Sequence, residues 1–138
     1  MLSGEGFWKN IDIKGNEWMN KLNETQNLLR ISYEDYKLAK SKDSIGRLRD
    51  ASNKLYAVIQ NYIEHKFNIY LGGKDFYQYL LKLPSKRISI QSKKYLYSNL
   101  KILHKFFYHG LDKDEDIMYY KRIYIESFRI LTILINEW

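Results

Sequence analysis

The chain has no cysteine, which excludes a disulfide framework, a thiolate nucleophile and zinc or iron–sulfur centres built on cysteine. It has a single proline, Pro84, so helices elsewhere meet no ring that would break their hydrogen-bond ladder. No stretch reaches about 18 uninterrupted apolar residues, and Met1-Leu2-Ser3-Gly4-Glu5-Gly6 lacks the basic flank and apolar run of a secretory signal. The expectation is a cytoplasmic protein with no membrane association. Several catalytic signatures are also missing. Leu71-Gly72-Gly73-Lys74-Asp75 lacks the spacing of a phosphate-binding loop, and there is no His-Glu-x-x-His, no serine nucleophile elbow and no carboxylate pair beyond helix-capping acids. No cofactor is expected. A metal held by His104 and His109 would need help from Asp112 and Asp114, which the start of a helix already explains, so no metal is expected either.

One absence is local. From Phe76 to Leu111 there is no acidic residue, while Lys82, Lys86, Arg87, Lys93, Lys94, Lys101 and Lys105 fall in that segment. These seven cations equal the whole net charge of +7, so the rest of the chain is neutral and a polyanion would meet one localised basic surface. Two of the three histidines, His104 and His109, close the same segment.

What is present is helical periodicity. With 138 residues and 45% hydrophobic content, one domain with a sizeable core is affordable and two independent cores are not. Residues 1–15, with Gly4, Gly6 and Gly15, read as an N-terminal extension whose Phe7 and Trp8 could dock; residues 16–138 read as the helical domain. Trp18, Leu22, Leu29, Tyr33 and Tyr36 fall on one face of a first helix, and Leu48, Ala51, Leu55, Val58, Tyr62 and Ile69 on one face of a second. Asp43 or Ser44 can cap the second helix and Leu71-Gly72-Gly73 can stop it. A short helical piece from Phe76 to Leu83 ends at Pro84. A third long helix begins near Ser89, presents Leu96, Leu100, Leu103 and Phe107, and ends at Gly110. Asp112, Asp114, Glu115 and Asp116 mark the start of a fourth, whose inner face is Ile117, Tyr120, Tyr124, Phe128, Leu131 and Ile135. The fold class expected is all-α, an antiparallel four-helix bundle with a short extra helix between the second and third long helices.

The second-helix string Arg49-Asp50-Ala51-Ser52-Asn53-Lys54-Leu55-Tyr56-Ala57-Val58, with a later helix closing in His109-Gly110 before an acid-capped final helix, resembles the HEPN superfamily. Leu103-His104 followed by Phe107-Tyr108 resembles its archaeal PaREP branch. The resemblance spans about residues 16–136 and implies a homodimeric helical bundle that binds nucleic acid or nucleotide, or cleaves RNA without a metal. Active members carry an arginine, four to six residues, then a histidine. Here His104 stands where that arginine would be if His109 is the histidine, and no arginine lies at the required distance before His65, His104 or His109. The resemblance therefore implies a catalytically degenerate module, with a defence or toxin–antitoxin role. The alternative is a ribonuclease in which His104 and His109 act as base and acid beside Lys105. Residues five apart on a helix differ by about 140° in direction, so the pair converges only if the helix loosens near Gly110 or a dimer partner completes the site.

Lys94, Lys101 and Lys105, spaced by seven and four, form one face of the third long helix. With Lys93, Lys86 and Arg87 they are the candidate nucleic-acid-binding residues, toward RNA or a nucleotide. A lysine face can equally be plain solvated surface. The 13 tyrosines and 6 phenylalanines could stack bases, but most fall on the apolar stripes and read as core or subunit contact. A protein partner or homodimer with no nucleic-acid role is the third reading.

Overall fold

The computed structural model describes residues 5–112 and 115–138, with side chains from Met19 onward; expectations for Phe7, Trp8, Trp18 and Asp114 lie outside the described side chains. The fold is all-helical, and no strand occurs among the described residues. Among the described residues five α-helices follow in order: α1 Glu5–Leu38, α2 Ile45–Phe67, α3 Tyr77–Lys82, α4 Ile90–His109 and α5 Ile117–Asn136. The first surprise is at the start. α1 is already helical from Glu5, so the boundary expected at residue 15 is not a break in secondary structure.

Local chemistry explains the other ends. A single 3-10 turn, Lys42–Ser44, joins α1 to α2. Ser44 sits at the N-cap of α2, but its hydroxyl accepts hydrogen bonds from the Lys40 and Ser41 amides at 2.9 and 3.1 Å, fastening the turn rather than capping the helix. α2 ends four residues before the expected glycine stop at Leu71-Gly72-Gly73, because Asn68 takes the left-handed conformation (φ 52°, ψ 52°). Asparagine tolerates that region better than other side-chain-bearing residues. The Asn68 and Ile69 amides both reach the Glu64 carbonyl, and Gly72 and Gly73 instead shape the loop that follows. α4 starts as expected, with the Ser89 side chain accepting from the Ser92 amide, and ends at Gly110 with φ 70°. Asp116 caps α5 by accepting from the Met118 amide at 3.0 Å.

α2 packs against each of the other four helices. It buries Leu48, Ala51, Leu55, Val58, Ile59, Tyr62 and Ile63, and meets Leu96, Leu100, Leu103 and Phe106 of α4 and Tyr124, Leu131 and Leu134 of α5 in one core. α1 is rotated relative to the expected aromatic stripe. Its innermost line is Thr25, Leu29, Ser32 and Asp35, whereas Leu22, Tyr33 and Tyr36 are half-buried. The small side chains admit α2 and α5 closely, and each polar one is satisfied, as burial requires. The Ser32 hydroxyl donates to the Ala51 carbonyl at 2.9 Å and shares a hydrogen bond with the Tyr124 hydroxyl at 2.7 Å. Asp35 accepts from Lys54 at 2.6 Å and lies 3.5 Å from Arg47. The displaced tyrosines stack on α5, Tyr33 on Phe128 at 4.8 Å and Tyr36 on Tyr124 at 4.6 Å between ring centroids.

If Asn68 stops α2 by tolerating a positive φ, Asn68→Ala should cost about 1 kcal/mol and Asn68→Gly should cost nothing measurable. Urea unfolding of the two variants checks this; equal losses would contradict it.

Candidate nucleic-acid interface

Two side chains of α2, seven residues apart, decide how α4 is turned. Tyr56 stacks on His104 with ring centroids 4.0 Å apart and planes 19° from parallel. Arg49 donates from Nε and Nη2 to the Phe107 carbonyl at 2.9 and 2.6 Å, and from Nη2 to the Tyr108 carbonyl at 3.3 Å. A cation on the open carbonyls of a helix C-terminus satisfies groups that have no partner within the helix and complements its dipole. Positions rise along α2 as they fall along α4, so the two helices run in opposite directions.

With α4 held in that rotation, Lys94, Lys101 and Lys105 are exposed on one face, about 10.5 and 6 Å apart along the axis at 1.5 Å per residue. Among the described residues none of the three forms an ion pair; those present are Arg30 with Glu34, and Arg47 and Lys54 with Asp35. Lys101 lies over the Tyr97 ring, 5.9 Å from its centroid. Lys93 does not belong to this surface. It is only 5% exposed, and its ammonium donates to the Leu83 carbonyl. One step along a helix turns a side chain by about 100°, so the neighbour of an outward Lys94 points inward, where it ties α4 to the end of α3. Lys86 and Arg87 are exposed in the link before α4 and line a cleft of about 430 Å³ with Pro84, Ser85 and Glu137.

The two histidines are not brought together. His104 is half-buried between Tyr56 and Tyr108, and its Nδ1 is buried with no hydrogen-bond partner. Burial, then the positive charge of Lys101, pushes its pKa below the ordinary imidazole value. Its neutral form is thereby favoured, which makes it a weaker phosphate ligand than a permanently charged arginine. His109 is exposed and opens instead into a cleft of about 510 Å³ between the end of α4 and the start of α5, with Lys105, Asp112, Glu115 and Tyr119. His104 does not line that cleft. The Glu115 carboxylate there is engaged by the Tyr120 hydroxyl and the Asp112 amide. A base and an acid facing one reacting phosphate are therefore not assembled by His104 and His109.

Among the described residues no group of three or more histidine, aspartate or glutamate side chains is arranged to hold a metal, and no helix is long and apolar enough to cross a membrane. The contacts of Arg49 and Tyr56 with α4 carry no sequence signal, because each acts on a helix about 50 residues away. Comparison with family models, curated proteins and solved structures finds no match for this chain.

The depressed pKa of His104 has a sign in stability. As pH falls below about 6.5 the unfolded chain takes up a proton that folded His104 refuses, so stability should decline from there until the folded pKa is passed. His65, lowered by burial and by Lys66 and Lys21, adds to the same trend. Urea midpoints measured from pH 7.5 down to 5 should fall, and should fall less in His104→Phe, which keeps a ring on Tyr56. An identical pH profile in the variant would contradict the assignment.

Proposed function

We propose that this chain is a catalytically degenerate, HEPN-like antiparallel four-helix module that binds nucleic acid through the lysine row of α4. The observation that carries the reading is the exposure of Lys94, Lys101 and Lys105 on one helical face, with no ion pair to any described carboxylate. Most surface lysines are merely solvated, but a row without ion pairs leaves its charge available to phosphates, whose counterions are released on binding, even with Asp112 and Glu115 in the cleft that Lys105 lines. Lys86 and Arg87 extend the positive surface beyond the start of α4, although Glu137 shares their cleft.

The helix pairings support the bundle reading. Tyr95 of α4 bonds Glu126 of α5 while Phe106 stacks on Tyr120, so this pair also runs in opposite directions, as do α1 and α5 through Tyr36 with Tyr124 and Tyr33 with Phe128. Against metal-independent RNA cleavage stands the separation of the half-buried His104, whose charged form burial disfavours, from the open His109. An assay of labelled RNA in EDTA distinguishes the two functions: cleavage abolished by His109→Ala would establish the enzyme, and salt-sensitive binding without cleavage supports the module.

Replacing Lys101 with Gln should weaken binding and reduce the slope of log K against log salt by about 0.7–0.9, the contribution of one phosphate contact. Lys93→Met should leave that slope unchanged and instead lower stability by about 1–3 kcal/mol, because it strips the Leu83 carbonyl of its partner. Anisotropy titrations across a salt series and urea unfolding check the two outcomes. A salt-independent affinity would contradict the function.

A further inference from the structure

The lysine row does not stand alone. Along its flank runs a chain of aromatic rings in mutual contact. Tyr77 meets Tyr97 edge-on at 4.6 Å, Tyr97 meets Phe76 at 5.5 Å, Phe76 meets Tyr56 at 5.3 Å, Tyr56 stacks on His104 at 4.0 Å, and His104 meets Tyr108 at 4.9 Å. Most of these rings are held by the core, but the last is not. Tyr108 is 63% exposed. It follows Lys101 by seven residues and Lys105 by three, which places it on the same face of α4 as both. Beside it a shallow cleft of about 380 Å³ is lined by Gly46, Arg49, Asp50 and Phe107. The backbone beneath Tyr108 is fixed by Arg49, so the ring is offered from a rigid support.

An exposed ring in line with two ammonium groups that form no ion pair is a pairing of features that bare charge does not require. From it we infer that the ligand of this surface is a single-stranded nucleic acid, whose phosphates run along Lys94, Lys101 and Lys105 and one of whose unpaired bases stacks on Tyr108. This inference rests on the proposed nucleic-acid function and names its substrate class. In a duplex the base faces are covered by their neighbours in the stack, and only phosphates would reach α4. In a single strand the base faces are free, and stacking on a tyrosine is tolerant of sequence because every base has a π-face. Charge complementarity selects the occupant, since no acid occurs in the sequence from Phe76 to Leu111. Asp112 and Glu115 share a cleft with Lys105 past the end of α4; the described acids along the rest of the strip are Asp75, which accepts from the Tyr97 hydroxyl at 2.9 Å, and Asp50 beside Tyr108. Both lie at its borders, and Arg49 lines the same cleft as Asp50.

The test is anisotropy of the full chain with a short labelled single strand, as RNA and as DNA, and with the matching duplex. The wild type should prefer the single strands. Tyr108→Ala should weaken single-strand binding roughly 5- to 150-fold, the range typical of one lost base stack, while leaving duplex affinity and the salt slope unchanged. Tyr108→Phe should bind like the wild type, because the ring face and not the hydroxyl is used. RNA and DNA binding alike would support stacking on the base, and preference for either sugar would still do so if Tyr108→Ala weakens it. Equal affinity for duplex and single strand with no effect of Tyr108→Ala would overturn the inference while leaving a phosphate-binding surface in place. Displacement by polyglutamate of equal charge would also overturn it. Absence of salt-sensitive binding to any of the three probes would overturn this inference and the proposed function together.

Discussion

The seam between α2 and α4 is the constraint on which the rest depends. A helix with apolar residues on one face and lysines on the other can still rotate by tens of degrees against a greasy partner, since hydrophobic burial is nearly non-directional. Here two directional contacts remove that freedom. The Tyr56 ring stacked on His104 sets the rotation, and the Arg49 guanidinium on the Phe107 and Tyr108 carbonyls sets the height and closes the end. Once α4 is so held, Lys94, Lys101, Lys105 and Tyr108 have no choice but to face out, and Lys93 must face in.

The same economy appears elsewhere. Among the described residues, each polar side chain that α1 buries is tied down: Thr25 to the Lys21 carbonyl, Ser32 to Ala51 and Tyr124, Asp35 to Lys54 and Arg47. These contacts are directional too, and those of Ser32 and Asp35 join α1 to α2 and α5 where a purely apolar contact would let the long helix slide. Burial pushes the Tyr124 hydroxyl well above the ordinary phenol pKa, with the Ser32 hydrogen bond opposing it. It therefore remains protonated throughout the physiological range. Burial disfavours the charged form of His104, which weakens it as a ligand for a phosphate.

Helix positions were largely legible because their signals are local. Ser89, Gly110, Asp116 and Pro84 punctuate the chain through their own backbone chemistry, and the stripes of α2 and α5 follow from a period of 3.6. The end of α2 was misread because two glycines outweigh one asparagine in any sequence reading, yet Asn68 comes first along the chain and suffices. The inner face of α1 was misread because its line is small and polar, so the large tyrosines at its edge dominated the periodicity. Lys93 was grouped with Lys94 because charge in a sequence carries no direction. The lysine row itself was legible from spacings of seven and four. Tyr108 was hidden among aromatics that do belong to the core, and only its exposure separates it from them.

The most direct measurement of the central claim is an amide-detected NMR titration of the isotopically labelled chain with a short single-stranded oligonucleotide. The account predicts that shifts concentrate at Lys94, Lys101, Lys105 and Tyr108 along the outer face of α4 and fade on raising the salt. Shifts confined to the α1–α5 face around Arg30 and Lys37, or unaffected by salt, would contradict it.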